Sequence, residues 1–352
     1  MAYNSNVQNI NNFAKSKIWN GNSSTQAITG INFSPDFVWL KQRSGTQRNQ
    51  LIDSIRGTNV ILKSDGTDAS GADTNILNSF DSDGFTLGNQ DQSNDTGATY
   101  VGWSWKAGTT GSGTTTGSGT GKTYNYSVSA GNFSIIKYSG NGSAGHQIPH
   151  HLGKKPAFII VKRLDTTSNW VTYDKVGGAT RFLYLNTTDT YTTNSGVWYD
   201  TEPTSTHVTI GSWNDVNNSS GEYIMYAWCE NQGSFTATSF NGNGNSDGSF
   251  IYTGGKPVIM ILKNIDISRN WTTWDNARDI HNPHWNYIYP NLSSGGTNIA
   301  QGSSGSYAID FVSNGVKIRN TDDKFNGNGS GYRAFIWSQP LVGSNNVPAT
   351  AR

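Results

Sequence analysis

The chain has 352 residues with 25 Lys and Arg against 24 Asp and Glu, a formal net charge of +1 that gives no long-range attraction for nucleic acid or an anionic membrane. Its one cysteine, Cys229, excludes an intramolecular disulfide and any cysteine cluster for zinc or iron, and reads as a small buried apolar group. The remainder, rich in Gly, Asn, Ser, Thr and aromatic residues, is an all-β composition, because Gly and Asn supply turns while aromatic and β-branched residues suit a pleated surface.

In chain order, residues 1–16 form an N-terminal arm outside any repeat. They lack the basic and apolar regions of a signal peptide, and no apolar run approaches the roughly 20 residues needed to cross a bilayer, so the chain reads as made in a cytoplasm and not inserted in a membrane. Residues 17–106 read as a first β module. It carries "WNGN" at Trp19, "SPDFVWLK" ending at Lys41, Asp53 twelve residues later with Arg56 beyond it, "GFTLG" at Gly84 and "YVGWSW" from Tyr100 to Trp105. Residues 107–130, beginning "AGTTGSGTTTGSGTG", read as a Gly/Thr/Ser-rich flexible linker.

The same succession returns in residues 131–232, with "YSGNG" at Tyr138, "KPAFIIVK" ending at Lys162, Asp174, "HVTIG" at His207 and "YIMYAW" from Tyr223 to Trp228. Here Gly177 stands where the first module has Arg56. A third copy fills residues 233–342, with "FNGNG" at Phe240, "KPVIMILK" ending at Lys263, Asp275 and Arg278, "GVKIR" at Gly315 and "YRAFIW" from Tyr332 to Trp337. Residues 343–352 are a C-terminal tail. Short apolar runs closed by Gly, Asn or Ser, with no sustained helical period, predict three tandem β-sandwich, jelly-roll-like modules related by internal repeat. The second and third are joined by a shorter connection and should be the more tightly coupled pair.

Each Tyr-x-x-aromatic-x-Trp segment is a predicted strand. Positions four and six face one way, so Trp103 with Trp105, Tyr226 with Trp228 and Phe335 with Trp337 form a packed face, while Tyr100, Tyr223 and Tyr332 look the other way. Pro35, Pro156 and Pro257 should mark equivalent strand starts.

Chemistry-bearing motifs fare poorly against structural readings. "GSGTGKT" (Gly117–Thr123) fails the phosphate-loop pattern, because Thr116 stands where Gly is required. His146, His150 and His151, like His281 and His284, have no carboxylate or cysteine at metal-ligand spacing, so no metal or other cofactor is expected. Asp53, Asp174 and Asp275 recur singly without a second acid, which suits an Arg partner or a turn better than a glycosidase pair. No catalytic residue is assigned. A core must recur in every module whereas a ligand site need not, so aromatics that do not repeat are the candidate receptor-binding residues: Trp198 and Trp213, and Trp285, Tyr287 and Tyr289 in "HNPHWNYIYP". That last segment reads as an inserted loop, with alternation placing its three rings on one side as a stacking platform beside His281 and His284.

The order of "GINFSPDFVWLKQRS", "LIDSIRGTN", "YVGWSWKAG", "HHLGKKPAFIIVKR", "YIMYAWCENQG", "SFNGNGNSDGSFIYTGGKPVIMILKN" and "FVSNGVKIRN", with "VPATAR" near the end, resembles the repeat-containing tail fibre and virion structural proteins of tailed, mainly marine, bacteriophages. The resemblance covers about residues 17–352. It implies a non-enzymatic virion protein on the outer surface of the particle, on the tail in preference to the head, made in the host cytoplasm. It also implies that its partners are other tail or capsid proteins, further copies of itself as a homotrimer, and a host surface glycan or receptor. A capsid-decorating or head-fibre protein is the alternative, and a capsule depolymerase is a third reading that lacks a visible acid pair.

Overall fold

The computed structural model describes residues 13–295 and 308–340. Among the described residues the chain is built of antiparallel strands with three four-residue helical turns, so the all-β expectation holds.

One strand order occurs three times. In the first module Ala14–Asn20, Thr99–Trp105, Phe37–Gln42 and Gln50–Asp53 lie side by side in that order as an inner sheet. The same places are taken by Phe133–Ser139, Glu222–Cys229, Pro156–Arg163 and Trp170–Asp174 in the second module, and by Phe235–Asn241, Gly331–Pro340, Gly255–Asn264 and Thr272–Asp275 in the third. The Pro positions differ in detail: Pro156 opens its strand as expected, whereas Pro35 precedes its own and Pro257 lies within its own; Pro156 and Pro257 each sit at a register shift, as expected of a residue with no N–H to give the ladder.

A smaller outer sheet covers each inner one. It comprises Gln26–Thr29, Gly84–Leu87 and Leu77–Asp81 in the first module; Thr116–Gly117, His146–Pro149 and His207–Ile210 in the second; and Phe250–Tyr252, Gly315–Ile318 and Ile309–Val312 in the third. Between the two sheets of each module lies a separate apolar core, and Tyr100, Tyr223 and Tyr332 belong to these. Each of these hydroxyls donates to a backbone carbonyl at 2.7 Å, of Asp91, Asn214 and Asp323, and accepts a backbone N–H from Asp95, Asn218 and Gly327. The first Tyr of the motif therefore pins a turn.

The opposite faces of the three inner sheets meet in a fourth core, which all three modules share. At its centre the rings of Trp105, Trp228 and Trp337 pack edge to face, with centroids 5.3 to 5.8 Å apart for the three pairs and only 2% of each side chain exposed. The modules thus surround a common axis instead of following one another as beads. Edge-to-face contacts add about 0.5–1.5 kcal/mol each beyond area burial, so the triad ties every module to both others. A void of about 20 Å³ lies against it, lined by Phe133, Phe235 and Ala14 among others. These three are register equivalents, facing Trp228, Trp337 and Trp105, and the small one leaves the gap.

Polar contacts close the ring in one direction. Tyr226 of the second module bonds Asp53 of the first, Trp103 of the first bonds Asp275 of the third, and Arg333 of the third reaches Asp174 of the second at 3.3 Å. Arg56 and Arg278 bind their own Asp three residues back, whereas Asp174, with Gly177 in that place, takes Arg333 and the Tyr191 hydroxyl. Lys41, Lys162 and Lys263 follow the same rotation, donating to the carbonyls of Ser293, Thr67 and Thr188. The repeated Asp and Lys are interface groups, and the first and second modules are joined by the same kinds of bond as the second and third.

The segment read as a flexible linker runs as strands. Thr109–Thr114 pairs with Thr123–Ser129, which pairs with Phe133–Ser139, and with Arg181–Tyr184 and Thr192–Thr193 on the other edge the second inner sheet reaches eight strands. Gly111 and Gly113 lie opposite Tyr126 and Tyr124, and a Cβ at either would fall within 3 Å of those rings. Here Gly alternates with Ser and Thr to admit two aromatic side chains, a period of two that low complexity conceals.

Candidate functional site

The five aromatic candidates separate by burial. Trp198 is 1% exposed inside the second module, edge-on to Tyr173. Tyr287 is buried among Trp274 and Phe325, and Tyr289 packs against the same core with its ring 5.3 Å from that of Tyr287. Trp285 is half-buried, its backbone N–H held by Asp279. "HNPHWNYIYP" is consequently not a protruding platform. Ile288 pairs with Thr273, as Leu183 pairs with Thr172 and Leu62 with Leu51, so residues 287–289 continue an inner-sheet edge found in all three modules. Tyr287 and Tyr289 do share one side, as alternation requires, but that side faces the core. His284 is buried against Phe311 at 4.2 Å, and burial pushes its pKa down to about 4, while His281 stays exposed. Among the described residues no cluster of His, Cys, Asp and Glu could hold a metal.

Trp213 behaves differently. It is 42% exposed and stands at the N-cap of the short helix Asn214–Asn217, where it makes no side-chain capping bond. The equivalent turn of the third module has Asp322, which accepts from the Lys324 N–H, and that of the first has Gln90. Asp, Ser or Asn is favoured at such a place, and Trp forgoes both the cap and burial. A large ring kept at a position where neither local structure nor packing asks for it is a candidate for contact with something else.

Around it lies an open groove of about 410 Å³, lined by Asn169, Tyr184, Ser212, Trp213, Asn214 and Asp215. Strand Arg181–Tyr184 brings Tyr184 to one wall and the helical turn brings Trp213 and Asp215 to the other. The Asp215 carboxylate accepts from Ser168 Oγ at 2.6 Å and from Trp213 Nε1 at 3.3 Å, which fixes the ring beside the acid. Burial and the neighbouring Asp215 charge raise the Tyr184 pKa, so the phenol keeps its proton. Two aromatic rings with amide, hydroxyl and carboxylate groups between them can stack on a ring and bond its hydroxyls.

Sequence reasoning found Trp213 and missed Tyr184, Asn169 and Asp215, because "RFLYLNTT" reads as a core strand. Setting the repeats in register would have exposed the pairing. Trp170 Nε1 bonds the Lys63 carbonyl and Trp271 Nε1 bonds that of Tyr184, which makes Lys63 the first-module counterpart of Tyr184. The first module therefore has Lys63 and Gln90 where the second has Tyr184 and Trp213.

No curated protein and no solved structure matches this chain. Among the described residues no helix is long and apolar enough to cross a membrane. One family match extends from residue 10 to residue 339, taking in the whole ring of three modules and the groove, and by it the chain belongs to the family described as Domain of unknown function (DUF7483).

Proposed function

We propose that this chain is a non-enzymatic virion protein of a tailed bacteriophage, tail-associated, and that it contributes to host-surface recognition through the Trp213 groove. The carrying observation is the exposed Trp213 beside Tyr184 and Asp215, an arrangement that only one of three equivalent positions carries. The sequence resemblance to phage tail fibre proteins supports the same reading. The repeated acids offer no support to hydrolysis, since Asp53, Asp174 and Asp275 are each engaged by Arg, Tyr or Trp side chains between modules.

A capsid-decorating position is the second reading, favoured by the internal threefold arrangement, which suits a threefold seat on a shell as well as the axis of a trimeric fibre. Antibody labelling of particles, viewed by electron microscopy, separates tail from head. Phage carrying Trp213→Ala should assemble normally and lose adsorption to host cells; normal adsorption removes the groove from host recognition.

A further inference from the structure

We infer that the Trp213 groove selects by charge, taking an uncharged sugar unit of a surface glycan and turning acidic sugars away. The inference rests on the groove being the contact site proposed above and adds the class of ligand. Trp213 and Tyr184 supply ring faces, and a pyranose presents C–H groups to such a face without needing a charge. The groove volume, about 410 Å³, lies toward the lower end for ligand sites and suits a short saccharide more than an extended peptide.

Of the six lining residues only Asp215 is charged. Its oxygens accept from Ser168 Oγ and Trp213 Nε1 and also engage the Tyr184 hydroxyl, and of a carboxylate's roughly four lone-pair sites one is left for a sugar hydroxyl. The cations near this wall are turned elsewhere. Lys162 Nζ donates to the carbonyls of Thr67 and Arg163, and Arg163 forks onto Asp165 at 2.9 Å. A uronate, sialate or phosphate laid on Trp213 would meet the Asp215 carboxylate first, because Lys162 and Arg163, although near enough to feel the Asp215 charge, do not line the groove and spend their donors on other partners. The first module lacks both rings. In the third, the groove-equivalent turn is spanned by the Arg269–Asp323 ion pair.

The test uses the purified full chain on an array of neutral, N-acetylated, uronate-bearing and sialylated oligosaccharides. The native chain should bind neutral members at least about tenfold better than acidic ones. Trp213→Ala, which removes an exposed ring that caps nothing, should lose about tenfold or more on all of them. Asp215→Asn should raise binding of acidic glycans towards the neutral level. Unchanged binding by Trp213→Ala overturns the groove as the site, and this inference with it. Loss in Trp213→Ala together with an unchanged neutral preference in Asp215→Asn overturns the charge selection alone. A native chain that binds acidic glycans as well as neutral ones, or is silent on every neutral one, also overturns it.

Discussion

The hydroxyl of Tyr226 donates to Oδ2 of Asp53 at 2.7 Å, across 173 residues of sequence, and Arg56 Nε holds the same oxygen. Both partners are fully buried, so the second module satisfies a charge that belongs to the first. Tyr226→Phe keeps the ring and removes this bond together with the one the hydroxyl accepts from Arg56 Nη2 at 3.2 Å. Hydrogen bonds to charged groups are worth about 1.5–3 kcal/mol, and a loss of about 2 kcal/mol in the urea-unfolding free energy is expected. An unchanged midpoint would show that the interface does not depend on it.

A shared centre makes a statement about cooperativity. Tandem modules would melt separately, whereas modules that each supply one ring to the Trp105, Trp228 and Trp337 triad should unfold in one transition. Each Trp→Ala change should cost about 3–5 kcal/mol and lower that single transition as a whole. Calorimetry that resolves two or three transitions in the native chain would sink this.

The three rotating lysines set a pH dependence. Burial lowers the pKa of Lys41, Lys162 and Lys263 to about 8, below the ordinary lysine value of 10.5. Below pH 8 both folded and unfolded chains hold these protons. Between pH 8 and 10.5 the unfolded chain keeps protons that the folded chain has released, so stability rises with pH, by at most about 1.4 kcal/mol per pH unit for each lysine. Tyr138 and Tyr226, whose pKa is raised by burial, act oppositely above pH 10. The denaturation midpoint should therefore be higher at pH 9.5 than at pH 7.5, and Lys162→Met should shrink the difference. A midpoint that falls over this interval contradicts the reading.

Ala14 marks where the ring is underfilled. Ala14→Val adds two methyl groups on a strand that suits β-branched residues, against a void of about 20 Å³. Stabilisation of about 1 kcal/mol is expected. Destabilisation would mean that Phe13 already fills the space on relaxation.

Period and spacing made the strands, the module order and the burial of the three motif tryptophans legible in the sequence, because each depends on residues close along the chain. Ring closure was not legible: Tyr226 meets Asp53, and Trp103 meets Asp275, through contacts that no local pattern records. The Gly111 and Gly113 strand was hidden by composition, since its glycines answer to tyrosines on the partner strand. Of the candidate site, Trp213 could be found as an aromatic without a counterpart. Trp198 has the same property and is buried, so sequence uniqueness alone did not separate a surface ring from a core one.

In an assembly of three identical chains, every substitution is inherited three times, at the core and at the rim alike. Here the three thirds are written separately in one coding sequence. Trp213 can drift while Gln90 and Asp322 keep their own turns, and the triad at the centre registers nothing. The closed ring thus lets one sector diverge at its surface while the other two hold the scaffold constant.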